Sequence, residues 1–429
     1  MSDAAASSRA TARGWGATLT AVCIAQATAI AGFDFTLPFI PLYLQHDLGI
    51  HGLGQTALWA GLIGFGPSIP ATIFGPFWGR LADRIGYRVM LLRAMLSASV
   101  LIGVMGLAPS PVVLLVLRML QGSLTGTVFA SQALVAATVP ERETARAMGL
   151  LQMSVYVGAT FGPIGGGAVA GVFGYRAAFV TAGVILGIAT LVVASFVREP
   201  ERRAPRATTR SVSDGPKPSM MQVLAVPAFL AALIMTLVVQ VAGTAFLPII
   251  PLYVQELLHT NADVAAQTGW LLAVSGVAAA LGSYAAGRLQ RDVGLKPLLL
   301  TSIIASAVLL VPQAFVHGFL AFLVLRAAAA AAFGALFGLV GTVAAVSSPR
   351  DAKGTAFGLM GAASSMGFGS GPLLGGALAA AFGIRPLFVL SAVLLATMPI
   401  TLWACTTVLP PVLSRLHMAP RLETLLRDQ

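Results

Sequence analysis

Charged side chains are scarce in this sequence, at 10% of its 429 residues against 57% hydrophobic, with a mean hydropathy of +0.88. Soluble domains carry about 25% charged residues. A water-soluble fold of this size could not cover its surface with so few, and that class is excluded. The two cysteines, Cys23 and Cys405, both fall in apolar runs, which excludes a disulfide framework. The five histidines (His46, His51, His259, His317 and His417) fall in loops or the tail without metal-ligand spacing, so no metal site is expected. No Walker A sequence occurs, which excludes ATP-driven pumping, and no nucleophile–base constellation or cofactor motif suggests an enzyme. Nor is there a cleavable signal pattern: "MSDAAASSRATARGW" reads as a short basic tail, and the run after it is too long for a signal h-region.

What is abundant is uninterrupted apolar sequence. Stretches near twenty residues recur along the chain, the length that crosses ~30 Å of hydrocarbon as a helix. Six spans are expected at about 16–44, 57–78, 89–108, 112–138, 147–171 and 177–197, and six more at about 226–255, 266–287, 297–316, 318–346, 355–381 and 386–409. The fold class expected is an all-α membrane protein of twelve transmembrane helices in two pseudo-symmetric six-helix bundles. Its parts are an N-terminal tail (1–15), a first bundle (16–197), a linker (198–225), a second bundle (226–409) and a C-terminal tail (410–429). The linker, "REPERRAPRATTRSVSDGPKPS", is rich in Pro, Arg and Ser and reads as flexible.

The net charge of +11 could suggest nucleic acid. The basic residues sit instead in short loops between spans, and no nucleic-acid partner is expected. With both termini cytoplasmic, inner segments collect 22 Lys and Arg, and outer loops collect only Arg176 and Arg385. The positive-inside rule therefore places both termini in the cytoplasm, in a cell (inner or plasma) membrane.

The chain also repeats itself. "LPFIPLYLQ" from Leu37 returns as "LPIIPLYVQ" from Leu247, with seven of nine residues identical. "GRLADRIG" from Gly79 returns as "GRLQRDVG" from Gly287, Arg118 as Arg326, and "GPIGGG" from Gly162 as "GPLLGG" from Gly371. Every offset lies between 208 and 210, so the halves are duplicates in parallel orientation. Duplicated bundles that rock about a site between them are a transporter design.

Twelve spans, a central linker and "GPFWGRLADRIGYR" from Gly75 resemble the major facilitator superfamily, and the resemblance covers essentially the whole chain. "RMLQG", Arg118 to Gly122, is similar to an element of its proton-coupled members. "GATFGPIGGG", Gly158 to Gly167, and "LPFIPLYLQ" look like its drug:proton antiporter branch.

In the charged knot after span 2 (Gly79, Arg80, Asp83, Arg84, Gly86, Arg88), glycines permit close approach and a tight turn. Asp83 can accept hydrogen bonds from helix N-termini and arginines. The resemblance implies a cytoplasmic gate that latches the bundles while the protein faces outward. The alternative is a basic loop that only anchors to headgroups. The second copy, Gln290-Arg291-Asp292, departs from the pattern. In span 5, Gly158, Gly162, Gly165, Gly166 and Gly167 strip a helix face, and Pro163 removes a backbone donor. Packing alone would explain this, and the resemblance adds a gate-sealing hinge.

Of the fifteen acidic residues only Asp34 lies well within a span. An ionisable group at that depth costs ~2.5 kcal/mol or more and is by default functional. Arg118 on span 4 falls within ~5 Å of the same depth at 1.5 Å per residue. Protonating Asp34 would release Arg118, and losing the proton would restore the attraction. The alternative is a permanently ionised structural pair. Thr244 stands where the repeat would place a second Asp34, while Arg326 remains and could bond carbonyls, face water or meet an anionic substrate.

Gln26, Gln121, Gln152, Tyr156, Gln240, Phe246, Phe357 and Met360, with Arg326, lie on spans that line the cavity in the family resembled, and are candidate substrate contacts. The function implied is secondary active export of small, mostly hydrophobic compounds in exchange for protons, by a chain working as a monomer in the bilayer. A proton-coupled exporter of an endogenous metabolite, a passive channel and a non-transporting sensor are the alternatives.

Overall fold

A computed structural model of the chain describes residues 2–124, 144–196, 226–259, 263–347 and 353–403, with single positions at 131, 134, 135, 139 and 224. Every regular element among them is helical. In hydrocarbon each backbone N–H and C=O needs an internal partner, and a helix supplies both within one segment. The first half holds α1 (Ser2–Asp34), α2 (Ile40–His46), α3 (Leu53–Phe65), α4 (Ser68–Ile85), α5 (Tyr87–Met105), α6 (Pro111–Leu124), α7 (Thr144–Phe173) and α8 (Tyr175–Phe196). The second holds α9 (Pro227–Thr244), α10 (Ile250–Leu258), α11 (Val264–Val293), α12 (Leu295–Leu310), α13 (Phe319–Ser347), α14 (Lys353–Phe382), α15 (Arg385–Ala396) and α16 (Met398–Trp403).

Nine helices among the described residues are long and apolar enough to cross a membrane, with shorter apolar helices at Pro111–Leu124 and Arg385–Thr401. The 30-residue α14 stands apart because glycine and serine dilute its apolar side chains. Together these segments fill the twelve expected positions. The helix of span 1 begins upstream of the expected residue 16, at Ser2, through an alanine-rich stretch of high helix propensity. The later part of span 4 (apart from residues 131, 134 and 135), the linker 198–225 (apart from residue 224) and the tail 410–429 lie outside the described residues.

The repeat is written into the turns. Gly86 (φ 104°) and Gly294 (φ 91°) cap α5 and α12, and Gly174 and Gly383 (both φ 85°) join α7 to α8 and α14 to α15. A left-handed φ disfavours any residue with a Cβ, so these glycines fix where each helix stops. Pro163 and Pro372 sit inside α7 and α14 at the same relative position.

By compactness the chain divides into Met1–Arg210 with Ile250–Gly276, and Ser211–Ile249 with Val277–Gln429. In the first unit α1 packs along α7, and α5 along α8. In the second, α9 packs along α14, and α12 along α15, the same two pairings one repeat later. Residues 250–276 join the first unit because α7 offers them a bare surface. A Cβ on Gly167 would meet the Ala265 carbonyl, one on Gly269 the Pro163 carbonyl, and one on Gly276 would lie 3.0 Å from Thr160 Oγ1.

Candidate functional site

The first span is not one helix. α1 ends on Asp34, a single 3-10 turn covers Leu37–Phe39, and α2 starts at Ile40. Prolines set the break: Pro38 has no N–H to offer the Asp34 carbonyl, and Pro41 sits in the first turn of α2. The Phe39 N–H bonds Thr36 O at 3.0 Å instead. Asp34 thus stands at the end of a helix inside the apolar core, half-buried.

Three glycines of α7, one per helical turn, form the seat for this region. A Cβ on Gly158 would strike the Ala27 carbonyl, and one on Gly162 would lie 2.6 Å from Ala31 O and 3.1 Å from Asp34 Cβ. One on Gly166 would run into the Phe35 carbonyl, and one on Gly165 would lie 2.7 Å from the Phe35 ring. The glycine motif and the acidic residue, far apart in sequence, form one joint.

Arg118, on α6, is buried and close enough to Asp34 for each to feel the other's charge. Asp34 makes no hydrogen bond or contact ion pair among the described residues. The guanidinium instead donates from Nη1 to Gln121 Oε1 at 2.7 Å, and its Nε is buried without a partner. Gln121 Nε2 and both amide atoms of Gln26 are likewise buried and unbonded. The first unit therefore holds an acid, a guanidinium and two amides whose hydrogen-bonding capacity exceeds what the described residues supply. Such a set can exchange a proton and readjust its bonds at little cost.

The second copy has the same frame. α9 ends on Thr244, and α10 starts at Ile250, with Pro248 before it and Pro251 in its first turn. Gly367, Gly371 and Gly375 of α14 seat it: Cβ atoms there would lie 2.6 Å from Gln240 Cβ, strike Thr244 Oγ1, and strike the Ala245 carbonyl. Its threonine and glutamine are both hydrogen-bonded. Thr244 donates to Gln240 O at 2.7 Å, and Gln240 donates to Ser364 Oγ at 2.9 Å. Thr236 lies 3.8 Å from the Met360 sulfur. Arg326 is half-buried, its guanidinium 5.0 Å above the centre of the Phe246 ring. Phe246 is itself buried and stacked on Phe388 at 4.9 Å.

In the charged knot, Gly86 makes the expected turn, Arg84 is exposed, and Arg88 Nη2 donates to Ala194 O at 2.6 Å, at the end of α8. The side chains at Gly79, Arg80 and Asp83, and those of Gln152 and Phe357, lie outside the described residues. Tyr156 is exposed. Two features are not foreseen from the sequence. One is Trp78, whose Nε1 donates to Ser123 O at 2.6 Å while Arg93 lies 3.5 Å over its ring. The other is the break after Asp34 and Thr244, for which the spaced prolines of "LPFIP" and "LPIIP" are the available signal.

Comparison with known proteins follows the same lines. The family described as Major Facilitator Superfamily matches residues 22–267 and 232–422. A multidrug resistance protein MdtG of Salmonella paratyphi C (strain RKS4594) is 33% identical over 381 residues, covering 88% of this chain and 92% of that protein. The MdtG of Dickeya zeae (strain Ech586) is 35% identical over 365 residues, covering 84% and 88%. Among solved structures, a bacterial homolog of the human lysosomal transporter Spinster, inward-facing and unoccupied, superposes with a TM-score of 0.71 at 20% identity, covering 91% of this chain and 96% of that one. That last likeness concerns the fold alone.

Proposed function

Because this chain belongs to the major facilitator superfamily, we propose that it is a secondary active transporter that exports small, mostly hydrophobic compounds in exchange for protons by alternating access. The observation that carries the reading is its identity of 33–35%, over most of both chains, with proteins named for multidrug resistance.

Asp34 is the proton carrier in this reading. When it is charged, its attraction for Arg118 holds the break of the first span against α6. When it takes a proton that attraction vanishes, and the guanidinium stays with Gln121. The glycine seats on α7 let α1 shift as a rigid rod with no side chains to disengage. Gly79, Arg80, Asp83, Arg84, Gly86 and Arg88 act as the cytoplasmic gate, supported by the bond from Arg88 to the end of α8. The chain works as a monomer in an inner membrane with both termini in the cytoplasm, an orientation that the distribution of Lys and Arg supports.

The test is uptake of ethidium into everted vesicles under an imposed pH gradient. Gradient-dependent accumulation is expected. A channel would equilibrate the dye without concentrating it, and an exporter confined to one metabolite would ignore it.

A further inference from the structure

The second copy keeps its arginine after losing everything that serves the first. Arg118 has the Asp34 charge nearby and Gln121 as a hydrogen-bond acceptor. Around Arg326 the corresponding stretch reads "RAAAA", and Thr244 replaces the acid. Among the described residues of the second unit the one acidic side chain is Asp292, exposed at the end of α11. Arg326 makes neither an ion pair nor a hydrogen bond among the described residues, and its Nε is buried without a partner. An uncompensated guanidinium within a membrane span is costly and persists where it meets a charge of opposite sign.

Its setting is built rather than accidental. The guanidinium lies over the face of Phe246, which is backed by Phe388, with Phe322 edge-on to Phe388 at 6.0 Å. All three rings are buried, so they are a platform beneath the arginine and not a surface for ligand. Stacking of this kind fixes the plane of the fork and leaves its outer N–H groups free for a two-point acceptor.

We propose that Arg326 is an anion-recognition site that takes the carboxylate, sulfonate or phosphonate head of an amphiphilic substrate. This rests on the transporter reading above and extends its substrates to compounds carrying one negative charge. The fork receives the two acceptor oxygens, and the apolar remainder of the compound lies along the span. Phe246 acts as a positioning residue.

The experiment measures equilibrium binding to the purified full chain in nanodiscs of zwitterionic lipid, with no pH gradient. The probes are 2-naphthalenesulfonate and its neutral sulfonamide. The wild-type protein is expected to bind the sulfonate ~10-fold more tightly than the sulfonamide. Arg326→Gln is expected to abolish the preference by weakening only the sulfonate, Arg326→Lys to retain part of it, and Phe246→Leu to reduce it several-fold. The lysine and leucine variants keep a charge at this position and serve if the glutamine variant does not fold. Equal affinity of the wild type for both probes, or a preference that survives Arg326→Gln, overturns the proposal. So does loss of the wild-type preference when phosphatidylglycerol is added, which would give the site to lipid headgroups. Because binding is read without a gradient, it can fail while ethidium efflux stands, or stand while efflux fails.

Discussion

The break in span 1 and its duplicate in span 7 have nearly the same backbone and opposite chemistry. Both helices stop where a proline-spaced segment begins, and both lie in a seat of three glycines one turn apart. In the second, the Thr244 hydroxyl donates a hydrogen bond to Gln240 O in its own helix, and Gln240 bonds across to Ser364. In the first, Asp34 has no such bond among the described residues, and the amides of Gln26 and Gln121 have buried atoms left over. The lesson is that the frame and the chemistry are separable. Geometry was retained in both copies, while the capacity to change protonation was confined to one.

The frame gives the largest expected effects. Gly166→Val and Gly375→Val each place a side chain on the opposing carbonyl, of Phe35 and Ala245 respectively, where backbone cannot give way. Overpacking of this kind costs ~1–3 kcal/mol or more. Both variants are expected to lose monodisperse protein on detergent extraction and to melt at lower temperature, by similar amounts. If one were silent, the two seats would not be equivalent.

Next comes the chemistry, where the copies should part. Asp34→Asn keeps the shape and removes the titrating group. It is expected to lower gradient-driven ethidium efflux ~100-fold while leaving insertion and gradient-free dye exchange intact. Thr244→Val removes one hydroxyl bonded within its own helix and is expected to change efflux less than ~3-fold. Equal damage from both would mean the second copy shares the coupling. Full gradient dependence in Asp34→Asn would remove that residue from the mechanism.

Much of this frame is legible directly in the residues. The 208–210 offsets locate the duplicate, and the same offsets reappear in the left-handed turns at Gly86 and Gly294, and at Gly174 and Gly383. Depth along a helix follows from counting, so Asp34 and Arg118 can be matched by their positions in the chain alone. Direction around the helix and the competition for hydrogen bonds cannot. Arg118 donates from Nη1 to Gln121, three residues on along its own helix, and reaches Asp34 only through its charge. The seat beneath Asp34 is also hidden, because glycine motifs state that something packs closely without stating what. Arg326 on Phe246 joins positions eighty residues apart, with no spacing to reveal the pair.

That competition at Arg118 gives a subtler way to sharpen the contrast. Gln121→Leu removes the acceptor and leaves the guanidinium with a second buried N–H group unpaired, at a cost of ~1.5–3 kcal/mol in the lost charged hydrogen bond. Freed from Gln121, the guanidinium moves toward the carboxylate. A closer positive charge favours the deprotonated acid, so the pH at which efflux is half-maximal is expected to move to more acid values. An unchanged midpoint would mean that Gln121 serves folding alone. The second copy offers no counterpart for this change, since Ala329 occupies the matching position.

The smallest effect is expected at the rim of the first unit, where Arg176 Nε donates to Asp47 Oδ1 at 3.1 Å. The side chains are 49% and 24% exposed, so water and salt screen the pair, and such bridges contribute ~0–1 kcal/mol. The neighbouring stack of His46 on Tyr175, with ring centres 5.6 Å apart, ties the same two segments without a net charge. Arg176→Gln is therefore expected to leave efflux within ~2-fold of wild type, and to lose even that difference in high salt. In the sequence, Glu256 and Arg385 repeat these charges at an offset of 209. A loss comparable to that of Asp34→Asn would place transport chemistry at this rim, and the confinement of coupling to the break in span 1 would no longer hold.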